Sequence, residues 1–314
     1  MPSPVARRRS SPSGRQRRPD VFATLLGELP RPPLPAGAPA ADLVRAALAA
    51  QVGAGLEPVS DGGWWGPGGT PVERWEATAT LTDRAVKAVV VGPYSAHEGA
   101  GDRTLLAAAE ATNAELRALA AAGCPLIEVH EPAATSIGDD AASRARFVAA
   151  HRTLLAGLGG VHLSLAITGG NADAAGIATL LAAPYASLAL DLVRGPDNWY
   201  LAAAAPGTIG IVCGALTADE RGDETVEILL YALGYAASTG GRGPDRVGVA
   251  TAGSLANVPW PVAERRMRRL GEAVRLATAS REERAAAVDP RAISKRAAAL
   301  GRAGIRLMRG DRDQ

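Results

Sequence analysis

The chain is poor in cysteine, lysine and long apolar runs, and each scarcity excludes something. Its two cysteines, Cys124 and Cys213, are too few for a disulfide framework and lie in no Cys-x-x-Cys spacing. The two lysines, Lys87 and Lys295, are far outnumbered by arginine, which indicates coding bias. No stretch approaches about 18 strongly apolar residues, so the sequence predicts no membrane span. We therefore expect a soluble, cytoplasmic protein without a membrane partner.

Basic charge is concentrated at one end of the chain. The net charge is +2, but residues 1–19 hold six arginines and no acid, which leaves −4 for the remainder. This Arg/Ser/Pro segment is typical of a disordered tail, with a phosphate-binding or targeting arm as the alternative. Because the remainder is mildly acidic, we expect no nucleic-acid partner.

From residue 21 onward, short β-branched or apolar runs alternate with longer segments of helical period. Such alternation predicts parallel strands joined by helical crossovers, and eight repeats favour an α/β protein with a (β/α)₈ TIM barrel. The barrel is predicted as a single domain over 20–279, followed by a helical extension at 280–314. The predicted strands are 21–26, 56–60, 86–91, 125–130, 161–167, 187–192, 208–213 and 247–250.

Barrel enzymes carry their reactive groups at the carboxyl ends of the strands. Two histidines, His130 and His162, lie on predicted strands, and imidazole titrates near neutrality, so both are candidate acid or base groups. We expect the two rings at the same end of the barrel, facing one cavity. Alternation along a strand places Glu128 beside His130, and Ser164 beside His162. A third histidine, His151, is expected on an exposed helix face.

Aromatic residues make up only 4% of the chain, yet half of them fall in the predicted loops at this end. They form either a pocket wall for an organic substrate or ordinary loop packing, and both readings stay open. The six residues are Trp64, Trp65, Tyr94, Trp199, Tyr200 and Trp260.

Six short segments, in order on the predicted strand ends, resemble the catalytic barrel of cobalamin-independent methionine synthase. The likeness covers about residues 20–279 and is similar in size to the short, single-barrel members. The segments are LGELP at 26–30, GLEPVSDG at 55–62, VGP at 91–93, EVHEP at 128–132, VHLS at 161–164 and VATAGSL at 249–255.

The resemblance implies a zinc ion that binds the acceptor thiol and promotes its attack on a methyl group. Carried over by residue, the family's ligands fall on His162, Ser164, Asp191 and Ala252. Serine stays protonated near neutral pH and alanine offers no donor, so we expect this zinc site to be lost. If it survives, His162 is its ligand. A rebuilt site would draw on His130, His162, Asp191 and Cys213.

The resemblance also implies a changed acceptor. The acids expected to hold a substrate ammonium fall on Gly63 and His130, and an imidazolium would repel a cationic amine. We therefore expect an enzyme that transfers a methyl or alkyl group from a methyl donor to a small-molecule acceptor other than homocysteine. The alternatives are methionine synthesis itself, a metal-free lyase, and a catalytically silent barrel that binds a small molecule or a partner protein.

The residues expected to serve this site fall into two groups. The candidate catalytic residues are His162, His130, Glu131, Asp61 and Asp191. The candidate substrate-binding residues are Glu28, Trp64, Trp65, Tyr94, Ser164 and Asn257.

Overall fold

A computed structural model describes residues 21–66, 68–220, 222, 225–289 and 291. The predicted tail at 1–19 and most of the predicted extension lie outside these residues. Within them the helices are α1 Ala40–Gly53, α2 Pro71–Ala79, α3 Pro93–Ala96, α4 Asp102–Ala121, α5 Ala141–Leu154, α6 Ile177–Leu180, α7 Asn198–Ala204, α8 Val226–Ser238, α9 Trp260–Thr278 and α10 Arg281–Ala287. The strands are β1 Val21–Thr24, β2 Lys87–Val91, β3 Leu126–His130, β4 His162–Ile167, β5 Ser187–Asp191, β6 Gly210–Leu216 and β7 Val247–Thr251.

The seven strands form one curled, parallel sheet in the order β1-β7-β6-β5-β4-β3-β2. Every connection is a crossover through helices or loops, which parallel pairing requires. The α/β class and the parallel order predicted from the alternation are confirmed. No helix in the described ranges combines the length and apolar character that a membrane span needs.

The predicted second strand, 56–60, differs from expectation. It forms a single parallel bridge, Val59 with Val86, in place of a strand. At the other edge the Glu57 amide donates to the carbonyl of Ala23 at 2.9 Å. Pro58 between them has no N–H to donate, so a regular ladder is interrupted there. The segment therefore contacts both edges of the sheet, although seven strands are formed where eight were predicted.

Helix α9 shows how the outer layer packs. Ala263, Met267, Leu270 and Ala273 recur at helical spacing and are buried, whereas Arg268 is exposed on the opposite face. This apolar stripe fixes which side of the helix faces the sheet. A proline occupies the first turn, where a missing N–H costs nothing.

Alternation along β3 separates two kinds of environment. Ile127 and Val129 are fully buried in the main apolar core, between the sheet and the helices. The residues between them, Glu128 and His130, face the concave side, where Lys87 of β2 meets them. The strand therefore delivers a polar row to the interior of the curled sheet.

Candidate active site

A buried ion pair extended by a histidine lies inside the curled sheet. Lys87 Nζ donates to both carboxylate oxygens of Glu128 at 2.8 Å and to the carbonyl of Leu25 at 2.5 Å. His130 Nε2 lies 2.7 Å from Glu128 Oε1. The predicted placement of Glu128 and His130 on one face is confirmed. Lys87, which sequence reasoning assigned no role, completes the group.

Burial alone would raise the pKa of Glu128, but the positive charge of Lys87 and the hydrogen bond from His130 lower it to about 2. The carboxylate therefore stays ionised near neutral pH. An ionised partner at Nε2 favours the tautomer that carries its proton there, which leaves Nδ1 as an acceptor.

We expect this group to control acid stability. The folded pKa of Glu128 lies below the ordinary value of 4.5, so the unfolded chain binds the proton more readily. The resulting stabilisation, on the order of 3 kcal/mol, is complete above pH about 4.5 and is lost as the pH falls toward 2. Urea unfolding between pH 6 and 2.5 measures it. Glu128→Gln should flatten that part of the profile, and an unchanged slope would contradict the assignment.

His130 is the part of this group that reaches solvent. Its side chain is 14% exposed, and Nδ1 makes no hydrogen bond with any described residue. Its neighbour in the register, Val91 at the end of β2, is 59% exposed despite being apolar. Both residues lie at the carboxyl ends of their strands, so the imidazole is accessible at the end where barrel enzymes work.

Beginning one strand further along the sheet, the carboxyl ends of β4–β7 enclose a pocket of about 330 Å³, whose lining does not include His130. Asp191 and Asn257 line it, as predicted for this end. The Asp191 carboxylate accepts hydrogen bonds from the amides of Gly169, Val193 and Arg194 at 2.8–3.0 Å. It therefore holds the pocket loops in place, which is a positioning role.

Glu131 is engaged in the same way and leads to a network that sequence reasoning missed. Its buried carboxylate accepts from the amides of Tyr94 and Ser95 at 3.1 and 2.7 Å. On its other side lies His151, with Nε2 3.1 Å from Oε1 but outside hydrogen-bond geometry. His151 Nδ1 contacts the Tyr185 hydroxyl at 2.6 Å.

The predicted exposure of His151 is wrong, because its ring is fully buried and stacks on Phe147 at 3.9 Å. Tyr94 packs edge-on against Phe147 in the same core, 9% exposed. Two interpretations were open for the aromatic residues, a pocket wall and loop packing. Tyr94 fits loop packing.

The expectation that His130 and His162 share one end of the barrel is also wrong. His162 is the first residue of β4 and pairs with Leu126, the first of β3, whereas His130 ends β3 and pairs with Ala166. The two histidines are therefore four residues apart along the strand direction, which corresponds to about 13 Å. His162 contacts Ser187 Oγ at 2.8 Å and, with Ser164, lines a cavity at the amino ends. The expected level is right for His130, which ends β3, and wrong for His162, which begins β4.

The other predicted residues surround the first loops. Burial raises the pKa of Asp61, and a hydrogen bond from the Gly63 amide partly offsets this. Glu28 lies so close to Gly63 that a Cβ there would stand 2.8 Å from Glu28 Cγ. The Trp65 indole donates to Thr78 at 2.7 Å, and the Arg31 guanidinium lies 6.0 Å from the Trp64 ring centroid.

These residues do not fit a zinc ion. His162 lies at the opposite end from Asp191 and Ala252, and Cys213 Sγ points toward the Ala232 carbonyl, at 3.6 Å. Within the part of the chain that the structure describes, no three His, Cys, Asp or Glu side chains gather as metal ligands. Neither the set carried over from the resemblance nor the rebuilt set is assembled.

Comparison with known proteins supports the fold. Neither a family model nor the sequence of a curated protein matches this chain. A B12-independent methionine synthase from Shewanella sp. W3-18-1, solved with selenomethionine, superposes with a TM-score of 0.70 at 17% identity, over 84% of this chain and 98% of that one. A provisionally assigned vitamin-B12-independent methionine synthase from Listeria monocytogenes gives 0.64 at 12% identity, over 80% and 96%. The chain thus resembles single-barrel proteins of this type in fold, as the sequence motifs indicated.

Proposed function

We propose that the protein is an enzyme of the methionine-synthase-like barrel type that transfers a methyl or alkyl group to a small acceptor, with His130 as general base. The observation that carries this proposal is the Lys87–Glu128–His130 group, in which a buried carboxylate orients an accessible imidazole. The proposal includes closure of the curled sheet into a barrel. Segment 56–60, between β1 and β2, takes the position of the eighth strand.

The transfer step needs only these side chains and the two substrates. His130 Nδ1 takes the proton of the acceptor, whose thiol, hydroxyl or amine then attacks the methyl carbon, and the donor leaves with the electron pair of the broken bond. The imidazolium that forms is stabilised by ionised Glu128, whose own charge is balanced by Lys87. The pocket beside β4–β7 offers room for the substrates.

The choice of acceptor rests on the turn after segment 56–60. The resemblance places an acid for the substrate ammonium at position 63, where this chain has glycine. The side chain of Glu28 lies against Gly63, so a carboxylate is still present near this position. The Shewanella protein was solved with selenomethionine, an amino acid. Comparing acceptors with and without the amino-acid group therefore tests the proposed change of substrate directly.

We expect methylation of 2-mercaptoethanol to exceed that of homocysteine when a sulfonium compound, S-methylmethionine, is the donor. Mass spectrometry of the thioether products measures both. His130→Gln should lower turnover about 100-fold or more, because it removes the base. The matched control is His97→Gln, which changes an exposed loop histidine and should retain turnover.

A parallel measurement follows the His130 imidazole by NMR, since the chain has only four histidines. The product analogue 2-(methylthio)ethanol should shift that signal. A shift without turnover would favour the silent binding barrel, and homocysteine as the better acceptor would contradict the changed substrate.

A further inference from the structure

The amino ends of the strands enclose a second cavity, which meets the proposed active site only through the Lys87–Glu128 pair on its wall. Its volume is about 360 Å³, comparable to that of the carboxyl-end pocket. His162, Ser187 and Gly210, the first residues of β4, β5 and β6, lie around its opening. Barrel enzymes do not place their chemistry at this end, so the cavity calls for a separate explanation.

One polar group in this cavity is unsatisfied. The Ser164 hydroxyl is buried, with the residue 2% exposed, and it has no hydrogen-bond partner among the described residues. A buried hydroxyl without a partner costs about 1–3 kcal/mol, and native proteins rarely tolerate one. Ser164 lies on the cavity wall, so a molecule inside the cavity can reach it.

The remaining polar groups both donate and accept. Ser187 Oγ and His162 Nε2 are 2.8 Å apart and share one hydrogen bond, whose direction depends on the tautomer. Desolvation lowers the pKa of His162, which keeps the ring neutral near pH 7. Hydroxyls and a neutral imidazole match a ligand hydroxyl, which also donates and accepts.

Charges around the cavity cancel. Lys87 and Glu128 on its wall neutralise one another at 2.8 Å. At the opening Asp245 and Arg246 supply one exposed charge of each sign. A charged ligand would lose its hydration without gaining an unpaired counter-charge, so the lining favours a neutral molecule.

Apolar side chains complete the lining. Phe22 of β1 and Val212 of β6 belong to the small apolar cluster inside the curled sheet and line the cavity. A Cβ at Gly248 would stand 2.6 Å from the nearest ring carbons of Phe22. Glycine at position 248 therefore leaves room for this ring. The cavity thus offers apolar surface for a hydrocarbon body and polar side chains for a hydroxyl group.

From this lining we propose that the amino-end cavity is a second binding site, for a small neutral alcohol or phenol whose hydroxyl bonds to Ser164 and whose apolar body packs on Phe22. Phenol is the test probe, and benzoate and benzylammonium are matched charged probes. The readout is the NMR signal of His162, assigned with His162→Gln.

We expect phenol to shift the His162 signal more than that of His130, which meets the cavity wall only through Glu128. Ser164→Ala should weaken binding about five- to tenfold, which is what one hydrogen bond contributes. This variant should fold at least as well as the parent, because it removes an unsatisfied buried group. Ser238→Ala, an exposed serine on α8, is the control and should bind normally.

Three results would overturn the site: an unmoved His162 signal, equal phenol affinity in Ser164→Ala, or charged probes that bind as tightly as phenol. A crystal structure with phenol that shows only ordered water in the cavity would do the same. Because Ser164→Ala tests phenol binding in the cavity and His130→Gln tests the transfer step, failure of this site is distinguishable from failure of the proposed active site.

Discussion

Lys87→Met should lower the free energy of unfolding by about 3–5 kcal/mol. The substitution leaves the carboxylate of Glu128 buried without its main counter-charge, and an uncompensated buried charge is among the most destabilising changes known. Urea denaturation at pH 7 measures the effect.

Two further variants separate charge from packing. Lys87→Met combined with Glu128→Gln removes both charges, keeps an acceptor for His130, and should recover most of the lost stability. Arg84→Met removes a cation whose ion pair with Glu57 is exposed, at 3.4 Å, and should cost less than about 1 kcal/mol. A double variant as unstable as Lys87→Met would show that packing, not charge, explains the loss.

Gly92→Ala should cost about 3 kcal/mol. A Cβ at Gly92 would stand 2.0 Å from Glu131 Oε1, so the buried carboxylate must move away from the amides of Tyr94 and Ser95. Overpacking and the loss of two buried hydrogen bonds both contribute. Thermal unfolding measures the cost, and faster hydrogen exchange at these two amides would locate it.

Gly101→Ala is the matched control for this change. Gly101 precedes α4 as Gly92 precedes α3, with similar φ angles of −69° and −73°, but a Cβ at Gly101 would meet nothing within 4 Å. We expect a change within about 0.5 kcal/mol. Equal losses in the two variants would assign the effect to the helix N-cap position, where alanine is disfavoured, and contradict the role of Glu131.

The fold was largely predictable because its determinants are local. Apolar runs at strand length alternate with helical periods, and seven of the eight predicted strands formed. The exception contains Pro58, which cannot donate to a ladder. A predicted strand that carries a proline is therefore the one to expect as irregular.

The site was predicted less well because it depends on how far along its strand each side chain lies. The alternation correctly paired Glu128 with His130, but it carries no information about which end of β4 holds His162. Lys87 was missed because a lone lysine at the start of a strand is usually solvated. Its burial depends on the ion pair with Glu128 of the neighbouring strand, which only the fold brings close.

For His151 a usable signal was present in the sequence. Phe147, Ala150, His151 and Leu154 recur at positions i, i+3, i+4 and i+7 and form the buried face of α5. The partners of His151, Glu131 and Tyr185, come from distant segments of the chain. The helical pattern therefore could not predict the network itself.

The narrow junction at segment 56–60 has a mechanical consequence. Between β1 and β2 the backbone is joined through one bridge and a few hydrogen bonds, whereas the other strand pairs form extended ladders. The ammonium of Lys87 crosses this junction to the carbonyl of Leu25. The side chain thus links the two edges of the curled sheet, and transient local opening of the sheet should begin at this junction, where few other bonds hold it.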